Sequence, residues 1–354
     1  MSESPEHKPA TVPRLTSLSH GGGCGCKIAP ALLQDILRQQ LAQTVPPQLL
    51  VGTETADDAA VWQLDEHQAL VATTDFFMPI VDDPVDFGMI AATNAISDVY
   101  AMGARPVLAL AIVGMPVGVL PPQTIGDILR GGQQACARAG VVVAGGHSID
   151  SVEPIYGLAV IGLGAPARIR RNRDARDGDL LVLGKPLGVG IYSAALKKDR
   201  LDAAGYRALV ASTTRLNTPG PLLAQIDGVH ALTDVTGFGL LGHALEVCRG
   251  SGLAARIRAD AVPLLPGVRE LAAAGLLTGA SRRNWESYGA EVRLECADDL
   301  AQSLLTDPQT SGGLLVSCDP AALPRVLEVF AAEGFADAAP IGRLQRGAPG
   351  IVVE

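Results

Sequence analysis

Ala165-Pro-Ala-Arg-Ile-Arg-Arg-Asn-Arg-Asp-Ala-Arg-Asp-Gly178 is the interval on which the reading of this chain turns. Apolar, strand-like sequence flanks it, at 155–163 before and at Leu180-Leu-Val-Leu183 after. A charged stretch between two apolar segments closes one folding unit and opens another. Residues 169–178 therefore read as a linker between an N-terminal domain, 29–168, and a C-terminal domain, 179–354. The arginines would also suit a bound phosphate, although a solvated connection is the commoner use of a charge run. At 354 residues, 48% of them apolar, each half has enough material for a core. Aromatics are only 4%, a mix that favours combined helices and strands over an all-β sandwich.

Toward the N-terminus, Pro106 to Met115 is a strongly apolar strand. A helix is expected near 122–139, and strands at 140–144 and 155–163. Asp83-Pro84 is a helix start and Gly103 a stop, so a long helix lies between them. Asn94 and Asp98, four apart, share one face of it. Strands are expected at 49–52, 59–64 and 69–74. Pro30 opens a helix to about Thr44, with Leu32, Leu33, Ile36, Leu37 and Leu41 on its apolar face. Residues 1–19 read as a disordered tail without the apolar run of a signal peptide. Toward the C-terminus, helices are expected near 202–214, 237–249 and 321–333, and strands near 254–258, 313–317 and 350–353.

No run of about eighteen apolar residues exists, so no membrane span is expected. The net charge of −9 argues against a general nucleic-acid binder. It leaves room for a phosphorylated ligand held through metal, because metal sites want carboxylates. Six cysteines are too few for a disulfide framework and fit free thiols in a reducing cytoplasm.

The chemistry concentrates in His20-Gly-Gly-Gly-Cys24-Gly-Cys26-Lys27. Glycines loosen a backbone and supply no side chain, so this segment is expected to stay out of the core as a mobile tether. A thiolate is the reactive form of cysteine, and Lys27 is near enough to favour it or to bind phosphate. His20, Cys24 and Cys26 also form a conceivable metal set, and incidental thiols on a tail are a third reading. Aspartates recur where apolar segments stop: Asp57-Asp58, Asp75, Asp98, Asp150 and Asp234. Converging carboxylates need a cation, and Mg²⁺ with nucleotide phosphates is the usual one. Turns and caps are the competing use of each aspartate.

Gly237-Phe-Gly-Leu-Leu-Gly242 matches a dinucleotide fingerprint, with Asp260 as its acid, but the polar Thr233–Thr236 before it weighs against that use. A G-x-x-x-x-G-K-[ST] phosphate loop is absent. Gly145-Gly-His-Ser148, after the strand at Val141–Ala144, is either a phosphate nest or a simple turn. Asp307-Pro-Gln-Thr-Ser-Gly-Gly313 reads as a polar turn into a strand and nothing more.

With these residues assembled, the chain resembles the selenophosphate synthetases from about Leu18 to its C-terminus. The resemblance rests on His20–Lys27, Gly52–Ala60, Thr73–Ile80, Ala91–Asp98, Ala144–Asp150, Thr233–His243 and Asp307–Gly313. It implies an α+β, two-domain fold like aminoimidazole ribonucleotide synthetase. N-terminal domains would pair into a shared β-barrel in a homodimer, with ATP near the interdomain and intersubunit cleft. The implied reaction converts ATP, selenide and water to selenophosphate, AMP and phosphate, supplying activated selenium.

By the same resemblance, Cys24 and Lys27 take catalytic positions. Asp58, Asp98 and Asp234 take the Mg²⁺ positions. Lys27, Thr55, Ala56, Asp57, Asp75, Asp98, Gly146, His147 and Ser148 line the nucleotide. Ala56 stands where some relatives carry a polar or basic residue, and Cys26 receives no role. A selenium-delivery protein is a further implied partner; membranes and direct nucleic-acid contact are not. The rivals are another synthetase of the same superfamily, a dinucleotide-dependent oxidoreductase, and a non-catalytic selenium or metal carrier.

Overall fold

The computed structural model describes residues 13–28, 32, 36, 45–53 and 57–354. The helix expected from Pro30 to Thr44 lies outside the described residues except at Leu32 and Ile36, both helical. Thr55, Ala56 and residues 1–12 of the expected tail also lie outside them.

Among the described residues the first half builds one sheet and, besides the helical Leu32 and Ile36, two helices. In chain order they are β1 (Leu49–Val51), β2 (Ala60–Gln63), β3 (Ala69–Phe77), α1 (Pro84–Ala101), β4 (Arg105–Met115), α2 (Pro122–Arg138), β5 (Val142–Asp150) and β6 (Ile155–Gly164). The strand order is β1-β2-β3-β6-β4-β5. Every pair is antiparallel except β4 with β5. Asp83 caps α1 by accepting from the Asp86 N–H at 2.9 Å, with Pro84 in the first turn. Gly103, at φ 75°, ends it. From Phe87 to Ala101 every residue of α1 is buried, so this helix is a central rod rather than a surface helix. It crosses α2 at glycines: a Cβ on Gly88 would stand 1.9 Å from Ile128 O, and one on Gly131 2.0 Å from Val85 O.

Strand alternation sorts the first sheet into two faces. Val61, Val71, Phe77, Ala109 and Val160 are buried on the face that carries α1. The opposite face leaves Trp62, Phe76, Leu110, Val142 and Ile149 exposed. The register places these five on that one face, since Trp62 pairs with Leu70, Phe76 with Gly157, Val142 with Leu108 and Ile149 with Gly114.

The second half holds β7 (Leu180–Leu183), α3 (Val189–Lys197), α4 (Ala203–Thr213), α5 (Pro219–Leu223), β8 (Val229–Asp234), α6 (Gly239–Ser251), β9 (Leu253–Ile257), α7 (Val268–Ala273), α8 (Gly279–Tyr288), β10 (Val292–Leu294), α9 (Ala301–Leu305), β11 (Leu314–Cys318), α10 (Leu323–Ala332), β12 (Ala339–Arg346) and β13 (Gly350–Val353). Its sheet runs β10-β13-β9-β12-β7-β11-β8.

Several expectations need correcting. The Gly145–Ser148 stretch is neither nest nor turn: it lies inside the continuous strand β5. Gly145 and Gly146, at φ 136° and 155°, make a bulge there. Pairing with β4 steps from Val143–Ala109 to Gly146–Ala111, passing over Leu110. The dinucleotide use of Gly237–Gly242, already disfavoured by the polar Thr233–Thr236, finds no support in the topology either. β8 and β9, which flank α6, are separated in the sheet by β11, β7 and β12, so no parallel βαβ crevice forms.

Residues 169–178 are not a solvated linker. Ile169, Asn172 and Ala175 are buried, Arg168 pairs with Asp227 at 2.8 Å, and Arg171 with Asp174 at 2.6 Å. Residues 13–19 are not tail-like either. Leu15, Thr16 and Ser19 are buried, and Arg14 bridges Asp82 at 2.8 Å and Asp199 at 2.9 Å.

Candidate active site

The Gly/Cys segment is docked, against the expectation that it cannot enter the core. Gly23–Cys26 forms a single 3₁₀ turn, and Cys24 is 1% exposed. Glycine is the reason it fits, because here it permits contact rather than motion. Gly23 sits at φ 56°, and a Cβ there would lie 2.2 Å from Thr310 Oγ1. Its N–H donates to Met78 O at 2.8 Å. From the second half, Gly237 approaches so closely that a Cβ on it would stand 2.4 Å from Cys24 O.

The turn aims Cys24 and Lys27 at one strand and one helix. The Cys24 thiol donates to Asn94 Oδ1 at 3.2 Å, and Asn94 Nδ2 donates to Asp75 Oδ2 at 2.7 Å. Lys27 Nζ lies 3.3 Å from the same Asp75 oxygen. Asn94 Oδ1 also accepts the Ser311 N–H at 2.7 Å, while the Cys24 N–H donates to Thr310 Oγ1 at 3.1 Å. The Asp307–Gly313 stretch, read from sequence as a plain turn, is therefore a wall of the site. Its Asp307 and Gln309 side chains in turn accept the first N–H groups around α3.

Beside this chain of contacts, Asp58, Asp98 and Asp234 each present an oxygen within 4.8 Å of the other two. They come from the loop before β2, from α1 and from the end of β8. A hydroxyl holds one oxygen of each: Thr73 on Asp98 at 2.6 Å, Thr233 on Asp58 at 3.0 Å, and Ser97 on Asp234. Asp58 Oδ2 is buried without a hydrogen-bond partner. Three oriented carboxylates with an unpartnered buried oxygen fit a hard divalent cation such as Mg²⁺.

Electrostatics follow from this crowding. Burial raises Asp58, Asp98 and Asp234 above the ordinary carboxylate range, with Asp234 adding to the rise of Asp58 and Asp98, and Asp75 to that of Asp98 and Asp234. Burial, with Asp75 close by, pushes the Cys24 thiol well above its usual value, so the resting thiol is neutral. Burial works against the Lys27 ammonium, but Asp75, Cys24, Asp98 and Asp234 outweigh it and hold the amine well above its ordinary value. The Lys27 side chain nevertheless keeps 39% of its surface exposed. Its charged end is fixed on Asp75, while part of its stem remains at the surface.

The remaining expected site residues are dispersed. Asp57 Oδ1 accepts the Asn172 N–H at 2.7 Å, tying the loop to the strap between the sheets. Gly146, His147 and Ser148 are exposed on the edge strand β5, with β6 and β4 between it and β3. One chain does not bring them to the aspartates. His20 pairs with Glu153 at 2.9 Å, and burial pushes Cys26 up to about 11. Among the described residues neither joins Cys24 in a metal-ligand cluster. Asp150 serves a turn, accepting from Val117 N–H at 3.2 Å. Sequence reasoning missed Thr73, Ser97, Thr233, Thr310 and Ser311 as site residues. Hydroxyls, and the backbone N–H by which Ser311 joins, carry no spacing signal when their partners are far away in the chain.

Comparison with known proteins follows the same outline. The AIR synthase related protein N-terminal domain matches residues 56–164, and the C-terminal domain of that family matches 176–353. The selenide, water dikinase of Burkholderia pseudomallei (strain K96243) is 66% identical over 340 residues, covering 96% of each chain. That of Dechloromonas aromatica (strain RCB) is 64% identical over 341 residues, covering 96% of this chain and 98% of its own. In fold alone, the chain is similar to thiamine-monophosphate kinase from Stenotrophomonas maltophilia K279a. The TM-score is 0.63 at 21% identity, over 92% of this chain and 96% of that one. Sequence and architecture agree, and the chain belongs to the selenide, water dikinase family within the AIR synthase-related fold.

Proposed function

We propose that this chain is an ATP-dependent selenide, water dikinase, converting ATP, selenide and water to selenophosphate, AMP and orthophosphate. The observation that carries the reading is the docking of Cys24 and Lys27, through Asn94 and Asp75, beside the Asp58–Asp98–Asp234 cluster. Phosphoryl transfer needs positioning and charge neutralisation more than covalent chemistry. Mg²⁺ on the three aspartates, when bound, would supply most of that neutralisation. Lys27 adds a fixed positive charge for the polyphosphate. Asn94 orients the neutral Cys24 thiol at the place where selenide is handled. The packed 3₁₀ turn excludes water from that place until the acceptor has arrived. The γ-phosphoryl group passes to selenide first, and bound ADP is hydrolysed afterwards.

The same reading extends to assembly. An exposed sheet face carrying Trp62, Phe76, Leu110, Val142 and Ile149 supports pairing of two copies into a shared barrel. The pairing would supply Gly146, His147 and Ser148 to the nucleotide from the partner copy. Thr55, Ala56 and Asp57 belong to the same nucleotide wall in this reading. The six cysteines are all unpaired, which supports a reducing cytoplasm. No helix among the described residues is long and apolar enough to cross a membrane. A delivery protein would bring the selenium.

Phosphorus NMR of the protein with ATP, Mg²⁺ and selenide under anaerobic conditions tests the reaction. The expected result is a selenium-coupled phosphorus resonance with AMP in equal amount. Its absence from folded protein would overturn the assignment.

A further inference from the structure

The Gly/Cys turn has two sides. Cys24 and Lys27 face Asn94 and Asp75, whereas Gly21, Gly22 and Gly25 line a separate cavity of about 330 Å³. Neither Cys24, Lys27 nor the aspartate cluster lines that cavity. A second, much smaller void, about 10 Å³, is lined by Cys24, Lys27, Gly237 and Phe238. The two share Gly25, Ala280 and Arg283, so these residues form the partition between them, where a neck would open. Arg283 Nη2 donates to Gly25 O at 3.0 Å and holds the partition together.

The lining is one-signed. Lys197, Lys198 and Arg283 contribute cationic side chains, and no aspartate or glutamate is among the described lining residues. This contrasts with the whole chain, whose net charge is −9. Lys197 Nζ is anchored on Ser19 O at 3.1 Å, and His20 at the rim is paired with Glu153. A concave wall of one charge sign concentrates small counter-ions and speeds their arrival. Hydrogen selenide is ionised at neutral pH, so the substrate of the proposed reaction arrives as a small anion, and orthophosphate leaves as another.

We propose that this cavity is a port for small inorganic anions, through which hydroselenide reaches the Cys24 thiol, with the Arg283–Gly25 contact as its inner gate. The identity of the substrate rests on the function proposed above. The anion selectivity rests on the cavity alone.

Two sets of variants test it. Gly25 is not in the left-handed region, and a Cβ on it would lie 3.4 Å from Ala280 Cβ and 3.5 Å from Pro308 Cγ, ordinary contact distances. Gly25→Ala therefore fits and narrows the neck. Lys197→Met with Lys198→Met removes two cations that touch neither Cys24 nor Lys27 nor the aspartates. Both changes are expected to raise KM for selenide by roughly tenfold while KM for ATP holds. Lys197→Arg with Lys198→Arg, which keeps the charge, is expected to restore the wild-type value.

Titration calorimetry with inorganic phosphate and with hydrosulfide, on protein without nucleotide, is expected to show binding weakened by the double Met variant. A fall in kcat with weakened product inhibition by phosphate, KM for selenide unmoved, would assign the port to the leaving anion and overturn its role in admitting hydroselenide. Unchanged KM together with unchanged anion binding would remove the port altogether. Lysine-dependent phosphate binding in a protein without selenide-dependent turnover would refute the reaction and leave the port standing.

Discussion

Asn94 is the residue through which both halves of the molecule reach the thiol. Its amide oxygen accepts from Cys24 and from Ser311, and its amide nitrogen donates to Asp75. Truncation to alanine strands a buried thiol, a buried N–H and a carboxylate together, each loss worth about 1–3 kcal/mol. Asn94→Ala is expected to lower AMP formation by roughly ten- to a hundredfold with little change in nucleotide affinity. Steady-state assay beside a nucleotide titration checks it; undiminished turnover would remove Asn94 from the site.

Lys185 is a second buried hub, its Nζ donating to Arg215 O at 2.7 Å and Ser311 O at 2.8 Å. Burial lowers its pKa to about 7, Asp234 and Arg215 acting in opposite senses. An unfolded lysine stays protonated to about 10.4. Between those values the folded protein binds fewer protons than the unfolded chain, so stability rises with pH. Lys185→Met abolishes that slope. The stability of wild type relative to this variant should therefore grow, by up to about 1.4 kcal/mol per pH unit, from about pH 7 to about pH 9 in urea unfolding. A constant difference would show that the buried amine keeps its charge.

At the scale of elements, the crossing of α1 with α2 turns on glycine. Gly131 has no room for a methyl group, with Val85 O 2.0 Å from its ideal Cβ, whereas Gly126 on the same helix has nothing within 4 Å. Gly131→Ala is expected to destabilise by about 1–3 kcal/mol or more. Gly126→Ala should stabilise by up to about 1 kcal/mol through helix propensity. Chemical unfolding of the pair reads both signs at once.

Elements of this kind also mark what sequence reading reaches. α1 was legible because Asp83, Pro84 and Gly103 act locally on their own backbone. Asp75 and Asp234 were legible as candidates because each follows an apolar run, Asp58 because it precedes one, and Asp98 because it shares a helix face with Asn94. α8 was not: Gly279-Ala-Ser-Arg-Arg-Asn-Trp-Glu-Ser-Tyr288 has no apolar stripe. Distant bonds fix it instead, with Asn284 donating to Gly237 O at 2.9 Å and Tyr288 to Phe238 O at 2.6 Å. The packing of Gly21–Gly25 was illegible for the same reason. Glycine reads as looseness until the wall it approaches is known.

At the scale of the whole molecule, the first sheet leaves one broad face without helices among the described residues. Leu110 sits on that face, on β4 next to the edge strand, and is 41% exposed. If two copies close over it, Leu110→Asp buries an unpaired charge, which a dimer does not tolerate. Sedimentation equilibrium is expected to find a dimer for the wild type and a monomer for Leu110→Asp. A wild-type monomer would defeat the shared barrel and strand His147 in solvent. The two halves of a single chain were foreseeable from the charge of 165–178. A partner copy was expected only through the family resemblance, because an interface writes no local pattern.

The bulge at Gly145 has a consequence of arithmetic. Along a strand, even and odd positions look in opposite directions. Beyond the bulge, His147 pairs with Ile112, in step with Leu110 and so on the open face. Val142 and His147 are five positions apart and still share the open face, because the bulge takes up one residue; at full length without the bulge, regular alternation would turn His147 toward the helices, with Ser148 in its place. Which way that imidazole looks is decided by whether a number is odd or even.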